Sequence, residues 1–209
     1  MNIIFLHGLG QSPSSWRETI SYLPEDTKTY CPDLFGFCTD GEITYKNIYC
    51  GFEEYVDQFS EPVTICGVSL GAVLALNYAV RHDVRIHALI LIAPQYKMPK
   101  TLLKFQNILF HVMPEKFFSG SGLTKHDMIR LTNSMMTLDF EMDLDLIFCP
   151  SLIICGERDW ANKEAAKKMA EIIPDAKLCS LANAGHEINI TDSKKLADAL
   201  LRFLSDGGL

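Results

Sequence analysis

Residues 62–82 read PVTICGVSLGAVLALNYAVRH: a short apolar run, the turn Gly67-Val68-Ser69, and a helical stretch that begins at Leu70. Pro62–Cys66 is apolar but for Thr64 and rich in β-branched residues, which suits a strand buried on both faces. Leu70–His82 carries Leu, Ala, Val and Tyr almost all round, as a helix packed into a core does. A strand that passes into a helix through so tight a turn is the joint of a βα unit. Such units build parallel sheets with helices across their faces.

The alternation extends in both directions. Before the joint, Asn2–Leu6 reads as a buried strand ending in His7-Gly8, and Ser14 to Leu23 as a short helix with Ser12 or Ser14 as its cap. Thr29–Cys31 is a weak second strand stopped by Pro32, and Tyr45–Phe59 a helix with Ile48, Phe52, Tyr55, Val56 and Phe59 on one side. After the joint come Ile86–Ala93, the longest apolar run and an expected central strand, then Ser151–Cys155 and Ala176–Leu181. A last helix is expected to start near Thr191 as N-cap and to bury Leu196, Leu200, Phe203 and Leu204. The fold class is therefore α/β: a doubly wound, mainly parallel sheet of about six strands flanked by helices. Ligands of such sheets bind beyond the carboxyl ends of the strands.

One stretch breaks the pattern. From about Pro94 to Phe148 only helix-like pieces appear, at Thr101–Phe110 and Lys125–Met136, with a turn near Pro114. Six of the eight methionines fall here (98, 113, 128, 135, 136 and 142), with Phe105, Phe110, Phe117 and Phe118. That is too long for a plain connection, so it reads as a helical insertion at about 95–147. The 209 residues then make one domain, with its core at 1–94 and 148–209.

A net charge of −7 argues against a nucleic-acid partner, which needs a basic face to neutralise phosphates. The seven cysteines form no C-x-x-C pair and no zinc-like Cys/His cluster. Several sit in apolar runs, as small buried hydrophobes, and the odd count suits a reducing compartment. MNIIFLHGLGQ lacks the basic start of a signal peptide, and no apolar run approaches the length of a membrane span. The expectation is a cytoplasmic protein with no membrane association.

Gly67-Val68-Ser69-Leu70-Gly71 is a G-x-S-x-G pattern between strand and helix. In that setting a strained turn lifts the serine hydroxyl above the sheet, and side chains at the two glycines would collide with neighbouring backbone. The helix N-terminus behind it favours developing negative charge. A serine nucleophile needs a base. His186, in NAGHE, lies in a loop beyond the last strand, whereas His82, His87, His111 and His126 sit at helix ends, a strand start or in the insertion. The base needs an acid to orient it: Asp159 in CGERD follows a strand in the same manner, with Glu157 as its local competitor and Asp33 a more remote one. His7-Gly8-Leu9-Gly10 supplies a loop whose Leu9 N–H, with that of Leu70, is placed to hold an oxyanion through main chain. His7 itself reads as a support for that loop.

HGLGQSPSSW, DLFGF, GVSLGA, ILIAP, CPSLIICGERD and NAGHE, in this order, resemble the successive landmarks of the α/β-hydrolase fold superfamily. The resemblance covers nearly all of the chain outside the insertion. It implies a Ser69–Asp159–His186 triad, an oxyanion hole at Leu9 and Leu70, a helical cap over the site at about 95–147, and no cofactor or metal. The sequence departs from the family in starting at what the family counts as an inner strand, which leaves one sheet edge shorter and does not touch the triad. The expected activity is hydrolysis of a carboxylic ester or thioester of a small to medium, partly apolar acyl substrate, through an acyl-enzyme on Ser69. Other chemistry of the same site (C–C bond hydrolysis, acyl transfer or a lyase step) stays open, as does a non-catalytic small-ligand binder, against which the intact Ser, His and Asp argue.

Overall fold

The computed structural model describes residues 2–38, 41–115 and 122–206. Its centre is a six-stranded sheet, every neighbouring pair parallel: β1 (Asn2–Leu6), β2 (Lys28–Tyr30), β3 (Val63–Val68), β4 (Ile86–Ile92), β5 (Ser151–Gly156) and β6 (Ala176–Leu181). The helices are α1 (Arg17–Ser21), α2 (Tyr45–Val56), α3 (Leu70–His82), α4 (Lys100–Val112), α5 (Lys125–Met135), α6 (Lys163–Ile172), α7 (Ile188–Thr191) and α8 (Ser193–Asp206).

Side chains alternate across each strand, and the parity assigns them to two cores. Ile4, Leu6, Ile65, Leu89, Leu91 and Ile153 pack with α2, α3 and α6. Ile3, Phe5, Ile90, Ile92 and Ile154 face the other way, against Trp16 and the α8 residues Leu196, Leu200 and Phe203. Because both faces are covered, β3 and β5 are buried at every position. This is why their sequences show no polar alternation.

The strand order is β2-β1-β3-β4-β5-β6. The chain leaves β1 for one side, returns, and continues from β3 to the other. The crevice between the carboxyl ends of β1 and β3 is thus the topological switch point, where doubly wound sheets bind ligands. Leu6 is in register with Gly67, so the loops beginning at His7 and Ser69 open beside each other.

Several expected boundaries move. The helix expected from Ser14 starts as a 3-10 turn, Pro13–Trp16, and becomes α-helical only over Arg17–Ser21. Ser12 occupies the cap position, but its hydroxyl lies 2.8 Å from that of Ser14 and caps no amide. The second strand sits one residue earlier than Thr29–Cys31, and the helix begun at Tyr45 ends at Val56, short of Phe59. Thr191 does not cap the last helix. It closes α7, and its hydroxyl turns back to the Glu187 carbonyl and the Asp192 carboxylate. Asp192, at φ −136°, breaks the helical path before α8 resumes at Ser193.

Between β4 and β5 lie α4 and α5, as the break in the pattern predicts. An isolated antiparallel bridge, Lys97 to Asp139, ties the two ends of this segment together. Thr124 and Asp127 form a reciprocal capping box that fixes the start of α5. Phe117 and Phe118 lie outside the described residues. Among the described residues no helix is long and apolar enough to cross a membrane.

Candidate active site

β3 ends at Val68, and α3 begins at Leu70, which leaves Ser69 alone to turn the chain. It does so at φ 54° and ψ −113°, a conformation few L-residues adopt. Its N–H is held by the Ile92 carbonyl at 3.0 Å and its carbonyl accepts from Val73 N–H at 3.0 Å, so the strained residue is tied at both ends. A Cβ on Gly67 would come within 2.3 Å of the Gly71 carbonyl oxygen, and one on Gly71 within 2.2 Å of that of Leu6. Both glycines of the motif are therefore set by close backbone approach.

Asp159 and His186 come from the loops after β5 and β6, at the same carboxyl end of the sheet and beyond β4 from Ser69. Beyond β5 and β6 the two chains stay zipped: Glu157 N–H donates to the Leu181 carbonyl at 3.1 Å, and Arg158 N–H to the Ala184 carbonyl at 2.9 Å. Gly156 permits this, since a Cβ there would lie 2.3 Å from the Gly185 carbonyl oxygen and 2.4 Å from that of Ala184. The zipped loops place His186 Nδ1 2.8 Å from Asp159 Oδ2. Glu157, the local competitor, accepts instead from the Asn183 N–H at 3.1 Å, and Asp33 lies 3.5 Å from His7 Nε2. Neither carboxylate faces His186.

Replacing Gly156 with alanine is expected to cost about 3 kcal/mol of stability, because carbonyl oxygens rather than flexible side chains occupy the space. It should also displace His186. Urea unfolding and the chemical shifts of the His186 ring check the two parts.

The electrostatics follow from burial. Asp159 is 5% exposed. That desolvation alone raises its pKa, but hydrogen bonds from His186 and Asn162 outweigh it and hold the carboxyl below its ordinary range. The Asp159 contact in turn raises the His186 pKa above 6.5, against the opposing effect of burial. With Nδ1–H committed to the carboxylate, Nε2 is the nitrogen left to act as base.

His7 is fully buried and spent on structure. Its Nδ1–H donates to the Gly8 carbonyl at 3.0 Å, and its Nε2 accepts from the Leu34 N–H at 3.1 Å. Burial lowers its pKa, which keeps the ring neutral and the loops after β1 and β2 joined.

The two expected oxyanion donors sit on either side of the switch point. Leu70 opens α3, where first-turn amides have no acceptor within the helix. In the Gly8–Gln11 turn, Gln11 N–H closes onto the Gly8 carbonyl and Gly8 N–H donates to Gln11 Oε1, so neither closing bond uses Leu9 N–H. A Cβ on Gly8 would stand 3.5 Å from the Ser69 Cβ, which measures how closely the two loops approach.

A model of the alpha/beta hydrolase family matches residues 3–199. The chain belongs to the alpha/beta hydrolase family. It is 22% identical to a Xenopus laevis protein named monoacylglycerol lipase abhd6-A, in an alignment covering 98% of this chain and 75% of that one. A Yersinia enterocolitica protein with the provisional name carbamate hydrolase RutD is 28% identical over 63% of this chain and 45% of its own. Among solved structures, MenH from S. aureus superposes with a TM-score of 0.86 at 20% identity, over 100% of this chain and 95% of that one, a likeness of fold.

In this alpha/beta hydrolase a cleft of about 580 Å³ opens at the switch point. Ser69, His186, Asp159, Leu9 and Leu70 all line it. Its far wall comes from the segment after β4: Met98, Met113, Met128, Met135 and Phe110. Of these, Met98, Met128 and Met135 are also buried in the core. These three methionines thus pack the structure and line the cleft at once.

Buried amides in and beside the site were not singled out in the sequence. Asn162 donates from Nδ2 to both Asp159 oxygens at 2.8 Å. The buried amides Gln11 and Asn189 join the loop after β1 to the helix after His186, with Asn189 Nδ2 donating to Gln11 Oε1 at 3.0 Å. Buried amides carry no motif of their own, and only the fold shows what they touch. Among the described residues, no three His, Cys, Asp or Glu side chains are grouped as a metal site needs.

Proposed function

We propose that this hydrolase cleaves a carboxylic ester or thioester of a small to medium, partly apolar acyl group through an acyl-enzyme on Ser69. The observation that carries the reading is the strained Ser69 sharing one cleft with a His186–Asp159 pair at 2.8 Å. Ser69 Oγ attacks the carbonyl carbon as His186 Nε2 takes its proton. The oxyanion rests on Leu9 and Leu70 N–H, with the α3 dipole behind it. The leaving alcohol or thiol departs with the proton from His186. Water, deprotonated by the same nitrogen, then releases the acid and restores Ser69.

The segment at about 95–147 acts in this reading as a cap over the acyl site. Its methionines are flexible and polarisable, which suits apolar acyl chains of more than one shape. The lipase name carried by one relative agrees with an apolar acyl group, and the carbamate hydrolase name carried by another adds carbamates to the bonds worth testing.

The test is fluorophosphonate labelling with peptide mapping, followed by turnover of p-nitrophenyl esters graded in acyl length and of matched thioesters and carbamates. The expected result is one adduct, on Ser69, and a rate that climbs from acetyl to medium chains before falling. A folded protein that takes no adduct on Ser69 would overturn the reading.

A further inference from the structure

The acid of the site is held by more than His186. Gln95, just beyond β4 where the chain enters the insertion, points its amide at the loop after β5. Its Nε2 lies 2.9 Å from the Ala161 carbonyl oxygen and 2.8 Å from Asn162 Oδ1. Asn162 Nδ2 in turn lies 2.8 Å from each oxygen of Asp159 and 3.1 Å from His186 Nδ1.

The amide orientations are fixed by chemistry. A main-chain carbonyl accepts only, so the Gln95 group facing Ala161 is the NH2. That NH2 also faces Asn162, whose near atom must then be its oxygen. Asn162 therefore presents its own NH2 to the Asp159 carboxylate, and each of its two hydrogens has a carboxylate oxygen to meet. With both hydrogens so used, and His186 Nδ1–H donating to Oδ2, the 3.1 Å approach to Nδ1 sets two donors side by side on one carboxylate. Reversing either amide would set oxygen against oxygen.

We propose that Gln95 and Asn162 form a two-amide clamp that fixes the plane of the Asp159 carboxylate, so that the junction between β4 and the insertion positions the acid of the site. Both are positioning residues, acting through Asp159. Asn162 is 6% exposed and Asp159 5%. Water therefore cannot readily replace the lost donors, and a buried carboxylate stripped of a partner turns toward the donors that remain. Gln95 is half-buried and lines the cleft, within reach of what binds there. Besides Asp159, the charged group acting on His186 is Glu187, which none of the test variants alters.

The inference rests on the assignment of Asp159 as the acid, and two readouts keep the two apart. One is the second-order rate of Ser69 labelling by a fluorophosphonate across pH. The other is the titration midpoint of the His186 ring by NMR, which needs no activity. Asn162→Ala is expected to slow labelling by about 10- to 100-fold and to move the His186 midpoint down, as Asp159 leaves Nδ1. Gln95→Ala should do both more weakly, by about 3- to 10-fold in rate. The double variant should be no slower than Asn162→Ala alone, because the two amides act in series.

A His186 midpoint unchanged in both single variants, or rate factors that multiply in the double, would overturn the clamp. If Asn162→Ala does not fold, Gln95→Ala alone decides through the midpoint. If the parent protein takes no label on Ser69, the hydrolase reading fails, and the midpoints still decide the clamp.

Discussion

Ser69→Ala is expected to lower ester turnover by about four to six orders of magnitude while leaving the fold intact. The size follows from the way a triad works as a unit: without the nucleophile no acyl-enzyme forms, and what remains comes from binding and the oxyanion donors alone. The unchanged fold follows from the backbone. At φ 54° alanine suffers the same crowding as serine, and the Ser69 bonds to Ile92 and Val73 run through main chain. Ser69→Gly separates the two roles of the residue. Glycine accepts this conformation freely, so it should raise stability by about 1 kcal/mol, after its own entropic cost, while turnover is lost equally. Urea midpoints for the three proteins, beside p-nitrophenyl ester rates, check both halves. A Ser69→Gly variant less stable than the parent would show that the turn is not strained, and a Ser69→Ala variant of normal rate would remove Ser69 from the reaction.

Most of the elements legible in the sequence were those in which one force dominates, although the half-exposed β6 was also placed to the residue. Two-sided burial writes an unbroken apolar run, so β1, β3, β4 and β5 could be placed within a residue or two. The Ser69 turn was legible because a close approach leaves only glycine at 67 and 71, and His186 and Asp159 because each follows a strand directly. Gly156 obeys the same rule as the motif glycines, yet its collision is with Ala184 and Gly185 in the neighbouring loop. A glycine at the end of a strand is a weak signal until its neighbour is known.

Boundaries at α1 and α8 shifted for a local reason, the competition of Ser and Thr hydroxyls for nearby backbone and side-chain groups, which propensity averages away. The helical segment between β4 and β5 could be recognised from its length and its lack of strand-like runs. Which of its residues face the cleft depends on how α4 and α5 pack on the sheet, and no periodicity records that.

Asp159→Asn tests the electrostatics of the site rather than its nucleophile. In the proposed mechanism the neutral His186 ring is the active form, and the Asp159 contact raises its pKa above 6.5. In the parent enzyme, therefore, kcat/KM should rise with pH along a limb whose midpoint lies above 6.5. An asparagine carries no charge to stabilise the imidazolium, and it can offer Nδ1 an NH2 group, which favours the tautomer with the proton on Nε2. That tautomer cannot take the Ser69 proton. The expected loss is about 10³- to 10⁴-fold at the pH optimum, with the midpoint of the remaining activity displaced downward, since burial now acts with less opposition.

The same pair predicts how stability depends on pH, with opposite signs for its members. The raised His186 pKa contributes stability that is complete below 6.5 and is lost as pH rises through the folded value. The lowered Asp159 pKa contributes stability present above 3.8 and lost as pH falls through its folded value. The parent should therefore exceed Asp159→Asn in stability by more at pH 5 than at pH 9, where His186 is neutral and the enzyme most active. Equal differences at the two pH values would mean that His186 titrates without regard to Asp159, despite their 2.8 Å contact.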